Sequence, residues 1–290
     1  MDRGVEGAGM TRNDAAGAER PHSSGVADAD RPAIQVRHLD KVYHSHREGP
    51  VEALTDISFE AGQGEFICVV GPSGCGKSTL LKIIAGISGA TAGEMLINGQ
   101  KPDSASSRIG LVFQAPVLLP WRTVMENTLL PAQVFGLDMK ASQMRAQMLL
   151  DMVGLTGFER SYPSELSGGM QQRCSITRAL LPDPAILLMD EPFGALDAMT
   201  RDTMNIELQR IWMESHKTVF LITHSIPEAV FLGDRVLVMS PRPGRIIDDI
   251  RIDLPRPRDL DITTTPEFGA AVRRIRAGLG LDSKERPYAD

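Results

Sequence analysis

Three features of the chain predict an α/β fold built around a mostly parallel sheet. A glycine-rich turn at residues 71–79 joins an apolar run, Phe66-Ile-Cys-Val-Val70, to a helical pattern, Leu80-Leu-Lys-Ile-Ile-Ala85. Two further continuous apolar runs, Ile186-Leu-Leu-Met189 and Val219-Phe-Leu-Ile-Thr223, have the composition of central strands covered on both faces. From Met125 to about Leu180 the pattern turns helical, so a helical insert at about 115–180 interrupts the succession of strands.

The elements follow in order. Residues 1–31 lack periodicity and large apolar side chains, which predicts a disordered tail, within which Met10 is a second possible start. Apolar and polar residues alternate in Ile34-Gln-Val-Arg-His-Leu39 and again over residues 53–60. Glu94-Met-Leu-Ile-Asn-Gly99 reads as a strand entering an Asn-Gly turn, and the three segments together predict an antiparallel β region beside the glycine-rich turn. Residues 109–113 form a short strand ending at Gln114, and residues 141–153 are a helix rich in Met, Leu, Gln and Ala. Ser225-Ile-Pro-Glu228 has the spacing of a capping box with proline in the first turn, so a helix starts there. Residues 236–239 and 245–252 return to β character. Residues 267–281 predict a short basic amphipathic helix with Val272, Ile275 and Leu279 on its apolar face; its brevity and modest charge favour packing over contact with anionic lipid. The main domain is therefore expected at 32–255 and a C-terminal extension at 256–290.

Gly71-Pro-Ser-Gly-Cys-Gly-Lys-Ser-Thr79 fits the phosphate-loop pattern G-x-x-x-x-G-K-[ST], and its strand–loop–helix setting is the one that pattern requires. Gly71, Gly74 and Gly76 let successive backbone N–H groups face one anion, with Pro72, Ser73, Cys75 and Thr79 completing the loop. Lys77 would reach the outer phosphates and the Ser78 hydroxyl would ligate Mg²⁺, so the implied ligand is a nucleoside triphosphate. Asp190 and Glu191 end a buried strand. With a phosphate loop upstream, Asp190 is the candidate for holding the metal through water, and Glu191 for orienting and deprotonating an attacking water. In Leu166-Ser-Gly-Gly-Met-Gln-Gln-Arg173, Ser167 caps a helix running through Arg178, and Gly168 and Gly169 expose its first N–H groups. A second anion-binding helix end is thereby predicted.

Composition limits the partners. The chain has 290 residues, 42% of them hydrophobic, enough for a proper core in one large domain or two small ones. A net charge of −6 gives no reason to expect nucleic acid. No apolar run approaches the ~18–20 residues of a membrane helix, so the chain is expected in the cytosol, reaching a membrane only through a partner. Cys68, Cys75 and Cys174 have no metal-ligand spacing. Cys68 and Cys174 read as small buried residues; Cys75 lies at a helix N-terminus, where thiolates are favoured, so alkylation there is expected to inhibit and nucleotide to protect.

Leu-Ser-Gly-Gly-Met-Gln-Gln-Arg resembles the signature of ATP-binding cassette proteins, and the resemblance extends from about residue 34 to 245. It implies an ABC-type P-loop ATPase with a RecA-like parallel-sheet core, an antiparallel β subdomain and a helical subdomain. It further implies ATP and Mg²⁺ as cofactors and a second ATP-binding subunit, as a homodimer, whose signature closes over the first subunit's ATP. By the same resemblance Tyr43 stacks on adenine, Gln114 contacts Mg²⁺ and the attacking water, and His224 senses the γ-phosphate. Alone, Tyr43 would read as a strand aromatic and His224 as structural. Gly194-Ala-Leu-Asp197 resembles the loop that meets the opposite subunit, and Asp197 also suits a helix N-cap.

Pro116-Val-Leu-Leu-Pro-Trp121 places large apolar residues in a loop, either as a docking surface or buried against the helical insert; in the family this region receives a short helix of the membrane-spanning subunit. Residues 118–127, 192–201 and 239–246 are similar to the ATPases of nitrate, sulfonate and taurine importers, a group that also serves pyrimidine-type vitamin precursors. That similarity implies separate transmembrane permease subunits, a solute-binding protein, no nucleic acid, and a peripheral place on the cytoplasmic side of the membrane. A non-transport cassette acting on DNA or ribosomes is the alternative, but the coiled-coil or zinc insertions typical of those proteins are absent from the sequence. The Asn-Lys-x-Asp motif of guanine-binding proteins is also missing.

Overall fold

A strand with no polar position needs cover on both faces, and that requirement organises the molecule. The computed structural model describes residues 31–45, 49–102, 109–194 and 196–281; the expected tail and the end of the C-terminal extension lie outside them. β3 (Phe66–Val70) is buried at every position. Phe66, Cys68 and Val70 join one core cluster and Ile67 and Val69 the other, as the two-residue period of a strand dictates. β6 (Ile186–Asp190) and β7 (Thr218–Ile222) divide in the same way.

These strands lie in a six-stranded sheet of order β5-β6-β7-β3-β8-β9, with β5 at Ile109–Val112, β8 at Arg235–Met239 and β9 at Ile246–Arg251. Neighbours are parallel except β9, which runs antiparallel to β8. The expected antiparallel region is a three-stranded sheet of order β2-β1-β4, formed by β1 (Ile34–Ser45), β2 (Gly49–Ala61) and β4 (Ala92–Ile97). β4 enters the predicted Asn-Gly turn, with left-handed Asn98 (φ 50) and Gly99 (φ 75).

Helix α1 (Lys77–Ile84) lies between the sheets: Leu80, Leu81, Ile83 and Ile84 share one cluster with Ile57 and Phe59 of β2 and with Leu188 of β6. Phe59 stacks on Phe220 of β7 at 5.7 Å, joining the sheets directly. The other face of the large sheet is covered by helices. They include α2 (Val124–Thr128), α3 (Leu130–Phe135), α4 (Met139–Met152) and α5 (Gly168–Leu180) of the insert, then α6 (Ala198–Ser215), α7 (Ile226–Leu232) and α8 (Pro266–Gly278). Among the described residues no helix is long and apolar enough to cross a membrane.

The loop of residues 116–121 is fixed at one end and open at the other. Fully buried Asn127 accepts from the Leu119 N–H at 2.8 Å and donates to the carbonyls of Leu119, Arg122 and Thr123. Trp121 remains 70% exposed and Val117 58% exposed, so burial against the insert does not account for these side chains.

The C-terminal extension packs on the cassette rather than standing free. Phe268 and Ile275 of α8 are buried in the large core, with Val272 and Leu279 packed against it, as the apolar face predicts. Ahead of α8, the fully buried Arg258 donates through Nη1 to the carbonyls of Val230, Phe231 and Gly233 at 2.8–2.9 Å. It thus caps α7, whose last carbonyls have no partner within the helix. Burial, then the nearby Arg256 charge, push its pKa down to about 10, which leaves it charged at neutral pH. Arg258→Ala is expected to lower the unfolding free energy by about 3 kcal/mol in urea titrations, because buried carbonyls lose a charged donor.

Candidate functional site

The site begins at a backbone conformation only glycine adopts readily. Gly76, at the start of α1, has φ 110, and a Cβ there would lie 2.7 Å from Leu54 Cδ2 and 2.8 Å from the Ala53 carbonyl oxygen. The phosphate loop is therefore pressed against β2, with the first N–H groups of α1 and its positive dipole end at the loop. Lys77 folds over it: Nζ donates to the carbonyls of Gly71 at 2.8 Å and Pro72 at 3.0 Å.

A cavity of about 420 Å³ joins Tyr43, Ser73, Gly74, residues 76–79 and Glu191. Tyr43 is 42% exposed on β1, with Lys41 Nζ 4.8 Å from its ring centroid. Val51, Ala53 and Arg242 also line the cavity, although none of them was expected in the site from the sequence. Ala53 opens the alternating segment of residues 53–60, which shows a strand but not what the strand lies beside, and Val51 precedes that segment.

The paired acids are brought to the loop as expected. The Ser78 hydroxyl donates to Asp190 Oδ1 at 3.1 Å, so two hard oxygen donors stand together, the chemistry Mg²⁺ requires. Burial raises the Asp190 carboxyl above its ordinary range; the Ser78 hydrogen bond opposes this and the Glu191 charge adds to it. Glu191 adopts φ 47, a strained conformation for a side-chain-bearing residue, and is held there by its N–H donating to the Ile222 carbonyl at 2.9 Å. Its Oε2 faces His224 Nδ1 at 3.0 Å. The Gln114 amide reaches the same place: a Cβ on Gly194 would lie 3.0 Å from Gln114 Nε2 and 3.6 Å from Glu191 Oε2.

The second helix end stands apart. Ser167 caps α5 by accepting from the Met170 N–H at 3.3 Å, as predicted. Ser167, Gly168 and Gly169 do not line the phosphate-loop cavity. A Cβ at Gly168 would meet Leu196, and one at Gly169 would meet Thr200, so this end faces the segment around Asp197. Asp197 caps α6 through the Thr200 N–H at 3.0 Å; Ala195 lies outside the described residues.

Two expectations change. Ser225 caps α7 through the Glu228 N–H at 3.4 Å, but the reciprocal half of the capping box is missing: the Ser225 N–H donates to the Thr223 hydroxyl at 3.0 Å, and the Glu228 side chain is buried. Burial raises the Glu228 carboxyl, and its Oε1 has no hydrogen-bond partner. Cys75 is also buried, at 1% exposure, so the accessible thiol that alkylation needs is not present. Cys68 and Cys174 are buried as predicted, and burial pushes the Cys174 thiol up to about 11.

A phosphate loop after β3, an acid pair at the end of β6 two strands away and a detached second helix end on a two-sheet scaffold define a cassette-type nucleotide-binding protein. The chain belongs to the ABC transporter family: the family model described as ABC transporter matches residues 54–194. It is similar to the aliphatic sulfonates import ATP-binding protein SsuB of Bacillus cereus, 46% identical over 78% of this chain and 88% of that protein. It is likewise similar to the taurine import ATP-binding protein TauB of Roseobacter denitrificans, 45% identical over 81% of this chain and 90% of that protein. Among solved structures it resembles the dimeric, post-hydrolysis ATP-binding cassette MJ0796 bound to ADP and Pi, with TM-score 0.65 and 31% identity over 76% of this chain and 99% of that one.

The buried Glu228 yields a pH-dependent test. Its folded pKa lies above the unfolded one, so its charge costs stability above the unfolded pKa, and the cost disappears as pH falls below it. Glu228→Gln is expected to raise the Tm at about pH 8, with the gain shrinking toward about pH 4, as read by calorimetry across that range.

Proposed function

We propose that this chain is the ATP-hydrolysing subunit of an importer for a small sulfonate- or taurine-like solute, acting as a homodimer beneath separate membrane subunits. The observation that carries the reading is the cavity uniting Tyr43, the phosphate loop and Glu191. Adenine would stack on the exposed Tyr43 ring, and the N–H groups of Gly74, Cys75, Gly76, Lys77, Ser78 and Thr79, with Pro72 and Ser73 shaping the loop from Gly71, would receive the phosphates. Lys77 supplies a positive charge there. Ser78, Asp190 and Gln114 are the residues that would hold Mg²⁺. When bound, Mg²⁺ neutralises charge on the phosphoryl group being transferred.

Glu191 is the proposed general base. It stands at the cavity, its backbone is strained into place, and His224 at 3.0 Å from Oε2 fixes the carboxylate's direction. Gln114 beside it would orient the water. Ser167, Gly168 and Gly169 offer a second set of N–H donors away from this cavity, which suits closure over a triphosphate held by a second copy. The dimeric state of the ADP-bound relative supports that arrangement.

The loop carrying Val117 and Trp121 is proposed as the surface that receives the permease, since it is exposed and apolar beside Gln114. Docking there would place the chain on the cytoplasmic side of the membrane, with a solute-binding protein across it. Import of a sulfonate or taurine is favoured by the named functions of the SsuB and TauB relatives. Nitrate and pyrimidine-type precursors fit the motifs as well, because no residue of the nucleotide site touches the solute.

Glu191→Gln is expected to preserve ATP binding, lower kcat by at least ~100-fold and accumulate an ATP-bound dimer in gel filtration. Rapid turnover by that variant would remove Glu191 from the role of base. Ser167→Arg is expected to abolish the ATP-driven dimer while keeping single-subunit ATP affinity within about twofold of the parent chain.

A further inference from the structure

The turn at residues 240–245, between β8 and β9, lies in the importer-like segment 239–246, to whose side chains no role is assigned above, and it places a guanidinium in the nucleotide cavity. Arg242 lines that cavity together with the phosphate loop. Its Nε and Nη2 donate to the Gly74 carbonyl at 3.3 and 3.2 Å. We propose that Arg242 is a nucleotide-binding residue, supplying positive charge to the polyphosphate in addition to that of Lys77. The proposal rests on the cavity being the triphosphate site.

The turn is built to hold that side chain in register. Gly244 approaches the loop so closely that a Cβ there would lie 2.1 Å from the Cys75 carbonyl oxygen. The Gly244 N–H donates to the Ala53 carbonyl at 3.0 Å, and the Gly244 carbonyl accepts from the Thr55 N–H at 3.0 Å. The turn also closes on itself: the Ser240 hydroxyl accepts from the Arg245 N–H at 3.0 Å, and the Ser240 N–H donates to the Arg245 carbonyl at 2.9 Å. Arg242 therefore projects from a base pinned to both the phosphate loop and β2. The pinning removes much of the ordering cost that a free surface arginine bears on binding.

Charge gives the second argument. Among the described residues Arg242 makes no ion pair, whereas Arg235 and Arg256, on either side of it in the chain, pair with Asp249 and Asp234. A neutral carbonyl is a weak partner for a guanidinium, and a phosphate oxygen is a far stronger one. A polyphosphate entering this cavity meets an unneutralised cation within reach of Gly74, in the middle of the loop that receives it.

The test is equilibrium titration with fluorescent ATP and ADP analogues, using the full chain and Arg242→Lys, Arg242→Gln and Lys77→Ala variants, with thermal melts to confirm folding. Arg242→Gln keeps a donor for the Gly74 carbonyl but loses the charge, so it separates loop packing from anion binding. The expected result is a rise of about tenfold in Kd for ATP in Arg242→Gln, a smaller rise for ADP, near-parent affinity in Arg242→Lys, and a weaker salt dependence in the Gln variant. Parent-like ATP affinity in Arg242→Gln, while Lys77→Ala loses binding, would overturn the assignment of Arg242 alone. Parent-like affinity in Lys77→Ala would instead overturn the cavity as the triphosphate site.

Discussion

The close approach of the phosphate loop to β2 is the constraint on which the site depends. The antiparallel sheet carries Tyr43, the parallel sheet carries the loop and the acid pair, and neither alone encloses the cavity. They meet where Gly76 has no room for a side chain against Ala53 and Leu54, and where Gly244 exchanges backbone hydrogen bonds with Ala53 and Thr55 of β2. Helix α1 lies in the layer between the sheets, so its buried leucines and isoleucines press its N-terminus to this seam. Hydrophobic packing on one side of α1 thus sets the position of polar backbone groups on the other.

Within that frame the electrostatics are graded by depth. Asp190 lies deep enough for burial to raise its carboxyl, and the Ser78 hydroxyl partly compensates. Such a carboxylate gains more from a divalent cation than an exposed one would. Glu191, one residue later, has left the strand through a left-handed turn and faces the cavity and His224. A one-residue step at the end of β6 therefore separates two half-buried carboxylates, the proposed Mg²⁺ ligand Asp190 beside Ser78 and the proposed base Glu191 on the cavity.

The C-terminal extension is tied to the same machinery through α7. His224 lies just ahead of that helix, and Arg258 caps its far end through three carbonyls, while Arg256 pairs with Asp234 and lies over the Trp212 ring at 4.3 Å. Both termini of α7 are thus held, one by the Ser225 cap and the other by Arg258, 25 residues beyond Gly233 in the chain. The extension stabilises the helix behind the histidine.

By itself the sequence determined the strands, the helices and the chemical class of the ligand. Buried strands read as continuous apolar runs, capped helices announce their first turn, and the phosphate loop depends on local glycine geometry; Ser167, Asp197 and Ser225 cap the helices where their spacing places them. Local rules failed where a side chain had a choice of environment. Glu228 reads as half of a capping box but is buried, Cys75 reads as an accessible thiol but is covered, and Trp121 could be read as buried or exposed until the Asn127 hydrogen bonds set the loop's path. Arg242 sits in the importer-like segment 239–246, but nothing local marks its place beside Gly74, which comes from a contact spanning 168 residues of chain. Periodicity and capping act over a few residues and are written in the chain; solvent exposure and contacts between distant segments arise only when the two sheets pack, and the tertiary structure alone decides them.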